Sequence, residues 1–76
     1  MEELLVSIVK GLVEDPDAVN VTSSTEEDGL IVFHVNVAPD DMGRVIGKQG
    51  RIAKAIRTVV RAAANRSGEK VVVEID

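Results

Sequence analysis

Gly47-Lys48-Gln49-Gly50 sets two glycines around a lysine and a glutamine, the kind of turn through which a chain can hold an anion. Glycines at both ends remove the Cβ that sharp turn dihedrals would drive into the backbone, and they let another backbone come close. At the entry to a helix the first N–H groups point outward without partners, and a phosphate is a natural acceptor for them. Lys48 adds a full positive charge at the tip, Gln49 a neutral donor and Arg51 a further cation on the next turn. On its own Gly-x-x-Gly is a common joint between helices, so its surroundings carry the inference. Two other phosphate motifs fail. Gly43-Arg44-Val45-Ile46-Gly47-Lys48 has three residues between its glycines where a P-loop needs four, and Gln49 stands where a Ser or Thr is required. A dinucleotide fingerprint needs a preceding strand and a much longer chain.

Little else in the sequence offers reaction chemistry. There is no Cys, which excludes disulfides, thiolate zinc sites and cysteine nucleophiles, and the one histidine, His34, makes no metal site unaided. Acids gather at a helix start, in a turn and at a second helix start, with no base or nucleophile beside them, so no catalytic residue is expected. The net charge of −4 argues at first against a polyanionic partner. Position reverses that. Residues 1–41 carry one base and ten acids, whereas from Met42 to Gly68 there are seven bases and no acid. Such asymmetry between halves points to polyanion binding, or to a solvated basic helix face.

The elements that must position the turn follow from periodicity. Leu4, Leu5, Ile8, Val9, Leu12 and Val13 form the apolar stripe of a first helix, with Glu2 and Glu3 in its first turn and Asp15-Pro16-Asp17 as its stop. Strands are expected from Ala18 to Ser24 and from Leu30 to Val37, joined by a polar turn ending in Asp28-Gly29. In the second strand Ile31, Phe33, Val35 and Val37 should face the core and His34 the wetter side. Ala38-Pro39-Asp40-Asp41 reads as the start of a short helix through Ile46. A second helix begins at Arg51, with Ile52, Ile56, Val59, Val60 and Ala63 on one side and Arg51, Lys54, Arg57 and Arg61 on the other, and it ends at Asn65-Arg66-Ser67-Gly68. Lys70 to Ile75 reads as the last strand. The order α-β-β-α-α-β lets strands one and two form an antiparallel hairpin and strands two and three lie parallel through a crossover. So small a chain can cover one sheet face, giving a two-layer α+β fold with a three-stranded mixed sheet. At 76 residues, a single domain over 1–76 is expected. No apolar run reaches the roughly 18 residues of a membrane span, and the N-terminus has acids where a signal peptide has bases, so a cytoplasmic protein is expected.

Val45-Ile46-Gly47-Lys48-Gln49-Gly50-Arg51-Ile52-Ala53-Lys54-Ala55-Ile56 resembles the core signature of the KH domain, whose GXXG loop clamps about four nucleotides. The helix and strand that precede it match the type II, prokaryotic arrangement, and the resemblance spans essentially the whole chain. Within KH proteins the length points to the small bacterial single-KH RNA-binding group. The resemblance implies that Gly47 and Gly50 allow backbone approach, that Lys48 and Gln49 contact phosphate or sugar, and that Ile46 helps form an apolar platform for bases. It also implies Arg44, Arg51 and Lys54 as supporting cations, with Ile56 read as core and Arg57 and Arg61 as a solvated face or partner surface. One departure is Ala53, where KH domains commonly carry a large aliphatic residue. The implied partner is single-stranded RNA, with no cofactor and no metal, in post-transcriptional regulation or as an RNA chaperone. Self-association, or pairing with a larger KH-containing bacterial protein, is implied as well. Phe33 is the only aromatic residue, so base stacking on aromatic side chains is not available. The alternative reading is a protein–protein interaction module on a KH scaffold to which RNA binding is incidental.

Overall fold

A computed structural model describes residues 1–75. Helix α1 (Glu2–Leu12) is followed by the hairpin β1 (Asn20–Thr25) and β2 (Ile31–Asn36), the short helix α2 (Met42–Ile46), the long helix α3 (Arg51–Arg66) and β3 (Val71–Ile75). The sheet order is β1-β2-β3, with β1 antiparallel and β3 parallel to the central β2. This is the α-β-β-α-α-β order of the type II KH arrangement, as the periodicity predicts. The hairpin turn closes as its composition requires: Gly29 takes φ 88°, and Asp28 Oδ1 accepts the Leu30 N–H at 3.0 Å.

Alternation along the strands separates two faces. Phe33, Val35, Val71 and Val73 join Leu5, Val9, Val45, Ile56, Val60 and Ala64 in one buried cluster between sheet and helices. His34 lies on the other face, paired across the strands with Glu74, whose Oε2 is 3.4 Å from its Nδ1. Val32 shares that outer face and is nonetheless buried, because it sits in the central strand between Ser24 and Val72. Strand alternation alone assigns it to the wet side. Neighbours on both flanks shade it.

The buried stripe of α3 differs from the helical wheel drawn on its large aliphatics. Ala53, Ile56, Val60 and Ala64 are buried, while Val59 is 49% exposed and Ile52 and Ala63 are half-buried. Positions spaced three, four and four apart follow one face of an α-helix. The helix is rolled so that two small alanines, Ala53 and Ala64, lie in its buried line. Ala53, the departure from the KH pattern, is therefore an interior residue.

A second local difference lies at the entry to α2. Pro39–Asp41 forms a separate 3-10 turn and α2 begins at Met42, so Pro39 is not in the first turn of the α-helix. Nor does Asp41 cap that helix with its side chain. Its carboxylate, 3% exposed, turns to the chain leaving α1, accepting the Glu14 N–H at Oδ1 and the Asp15 N–H at Oδ2, both at 3.1 Å. The Glu14 bond does most to hold the carboxyl below its ordinary value of 3.8; desolvation opposes it, and the Asp15 bond and Arg44 add to the lowering. A depressed native pKa means that the unfolded chain binds the proton first. Asp41 thus contributes stability above its unfolded value, and that contribution is lost as pH falls through the native one. In thermal melts the wild type should lose stability below about pH 4 more steeply than Asp41→Asn, which starts lower at neutral pH. Parallel melting curves for the two proteins across that range would refute the assignment.

Candidate nucleic-acid interface

The chain passes from α2 to α3 in four residues, which demands unusual backbone angles. Gly47 adopts φ 76° and ψ 173°, a region open essentially to glycine alone. A Cβ there would lie 2.6 Å from Ile52 Cγ1, so the backbone of the turn rests directly on the Ile52 side chain. Gly50 is left-handed at φ 73° and ψ 15°, but faces open space. The first glycine is required twice over, by angle and by contact; the second by angle only.

Between them Gln49 holds a left-handed φ of 59°, unusual for a residue with a side chain. Arg51 Nη2 donates to its Oε1 at 3.3 Å, which draws the two side chains together over the turn. The Gly50 N–H donates to Gly47 O and the Arg51 N–H to Lys48 O. Among the described residues the Lys48 and Gln49 amides find no backbone acceptor within the turn. Lys48 and Gln49 are both exposed. Two free amides beside an exposed ammonium form a local donor set for an anion.

Of the other predicted positions, Ile46 is half-buried at the end of α2 and stands outside the core cluster, leaving apolar surface beside the turn. Arg51 and Lys54 are exposed at the start of α3. Ile56 is core. Arg44 is engaged: its Nη2 donates to Glu14 Oε1 at 2.8 Å and its Nε lies 3.2 Å from Asp41 Oδ1. Arg57 is also committed, its Nε donating to Val73 O at 3.1 Å across from α3 to the outer strand β3. Sequence reasoning assigned neither contact. A basic residue on a polar helix face carries no mark of the distant backbone it reaches.

No group of three or more His, Cys, Asp or Glu side chains converges among the described residues. An α+β sheet with a Gly-Lys-Gln-Gly joint between α2 and α3 defines a type II KH domain. The family model described as KhpA/KhpB, KH domain, matches residues 2–75. The chain belongs to that family. It is 57% identical over 75 residues to the RNA-binding protein KhpA of Clostridium acetobutylicum, covering 99% of both chains. Likeness to RNA-binding protein KhpA of Listeria monocytogenes is 52% over 75 residues, covering 99% of this chain and 97% of the relative. For RNA-binding protein KhpA of Streptomyces coelicolor it is 46% over 76 residues, covering 100% and 95%. Among solved structures, Aquifex aeolicus Era bound to GDP and AlF4− superposes with a TM-score of 0.68 at 20% identity, over 97% of this chain and 28% of that one. Era in complex with MgGDPNP and nucleotides 1506–1542 of 16S ribosomal RNA gives a TM-score of 0.63 at 19% identity, over the same 97% and 28%. These two bear on the fold.

The glycines should separate in a stability measurement. Gly47→Ala meets both the forbidden angle and Ile52 and should lose about 2–4 kcal/mol in urea denaturation, against about 1–2 kcal/mol for Gly50→Ala. Equal losses would show that Ile52 does not support the turn.

Proposed function

We propose that this chain is a non-catalytic RNA-binding module that holds about four nucleotides of single-stranded RNA through the Gly47-Lys48-Gln49-Gly50 turn. The observation that carries this is the turn itself: two free amides and an exposed Lys48 on a backbone path that Gly47 and Gly50 permit. The seven bases and no acids between Met42 and Gly68 support it, as do relatives that bear the name RNA-binding protein. In this reading Lys48 and Gln49 hold phosphate or sugar, Arg51 and Lys54 add charge along the entering strand, and Ile46 offers apolar contact to a base. Gly47 and Gly50 let the nucleic-acid backbone approach. Its setting is cytoplasmic, in post-transcriptional regulation or RNA chaperoning.

So few phosphate contacts make binding by one copy weak and salt-sensitive. Here one observation favours a second reading, self-association. Leu4, Ile8 and Leu12 of α1 and Ile52, Ala55 and Val59 of α3 line an apolar groove, with Leu4 39% and Val59 49% exposed. Glu2 and Glu3 lie on another face of α1 with Val6, Ser7 and Lys10, and the groove's one charged lining residue is Arg51 at its rim. A twofold pairing would bury the same apolar groove, with its exposed Leu4 and Val59, on both copies. The occupant proposed is thus a second copy of this chain. Two sites in one particle would raise avidity by roughly 10² to 10⁴.

Two measurements follow. Lys48→Asp with Gln49→Asp should keep the circular dichroism and melting of the wild type while losing at least about tenfold in affinity for short single-stranded RNA at equal salt; retained affinity would sink the assignment of the turn. In sedimentation, Val59→Asp should shift a dimer to monomer, and a wild type that is monomeric at tens of micromolar, about the range of a weak interface, would remove the self-association reading.

A further inference from the structure

Arg44 lies three residues before Gly47, on the helix that feeds the turn, and it is the one cation of the Met42–Gly68 arm with carboxylate partners among the described residues. Both partners come from outside that arm. They differ in kind. Asp41 is 3% exposed and held by two backbone N–H groups, so it is a fixed anchor against Arg44 Nε. Glu14 comes from the α1–β1 connector, 30 residues away in sequence, and its side chain is 76% exposed. Its carboxylate accepts from Arg44 Nη2 at 2.8 Å on a guanidinium that is itself 48% exposed.

Carboxylate and phosphate compete for the same guanidinium donors, since both present paired oxygens to the planar fork. An exposed ion pair is weak and screened, so an incoming phosphate can displace it. A buried, doubly bonded carboxylate cannot be displaced in the same way. We propose that Glu14 is an internal competitor for RNA phosphate: it occupies the Nη2 edge of Arg44 in the free protein, and binding exchanges it for a phosphate while Asp41 keeps the guanidinium in place. Glu14 lowers the affinity of the basic arm for polyanions in general. RNA seated in the Gly47–Gly50 turn, with a phosphate that reaches Arg44, is the ligand that overcomes it. Glu14 is then a residue that sets RNA affinity by acting through Arg44.

This rests on the turn being the RNA site, and the experiment separates the two ideas. Affinity for a mixed-sequence single-stranded 12-nucleotide RNA is measured at low salt for the wild type, Glu14→Gln, Arg44→Gln, the double variant, and Glu27→Gln. The last makes the same charge change in the distant hairpin turn. Glu14→Gln should tighten binding by about two- to fivefold, the range of an exposed ion pair, and Glu27→Gln by clearly less. In the Arg44→Gln background the gain from Glu14→Gln should vanish. A gain equal to that of Glu27→Gln, or one that persists without Arg44, overturns the competition. Retained binding by the Lys48→Asp, Gln49→Asp variant would instead overturn the turn as the site, and the Glu14–Arg44 cycle would still report on the exchange.

Discussion

A Cβ on residue 47 would sit 2.6 Å from Ile52 Cγ1, and this contact governs how α2 hands the chain to α3. With glycine there, the backbone can take φ 76° and ψ 173° and lie on the first turn of α3. Lys48 and Gln49 are then exposed at the surface, Gln49 in a left-handed conformation. Strain of that kind persists only where neighbours over-determine it, and such places are often binding sites. Ile52 supports the turn from below and lines the apolar groove toward α1. One aliphatic side chain therefore couples the geometry of the turn to the packing of the helices.

Charge follows a similar division between what is held and what is free. The fold engages two of the seven arm cations while leaving them exposed: Arg44 with Asp41 and Glu14, Arg57 with the Val73 carbonyl. Arg57 caps an acceptor on the outer strand, which limits the open edge that β3 presents. Those near the turn, Lys48, Arg51 and Lys54, stay exposed. A net charge of −4 thus coexists with a basic surface because ten of the thirteen acids precede Met42. An acidic remainder disfavours indiscriminate polyanion binding and leaves affinity to local geometry.

Much of this was legible in the chain. Element order, the hairpin and its Asp28-Gly29 turn, the burial of Phe33 and the wet placement of His34 all follow from periodicity and turn chemistry. Both act over a few residues. The helical wheel of α3 misled because it weighted residue size: Ile52 and Val59 look like core, yet the buried line runs through Ala53 and Ala64. Close approach of a helix to its neighbours favours small side chains, and no local signal reports how close the neighbours come.

By itself the sequence determined the α-β-β-α-α-β order, the position of a glycine-dependent turn and the acid-free arm around it, because apolar spacing and glycine chemistry operate locally. Only the tertiary structure decided which cations remain free. Asp41 reads as a helix-start acid, but its carboxylate binds backbone 26 and 27 residues away, and Glu14 reaches Arg44 across 30. Such pairings depend on how α1 ends beside α2, which is settled by burial of Leu5, Val9 and Val45 in one core rather than by any residue's immediate neighbours.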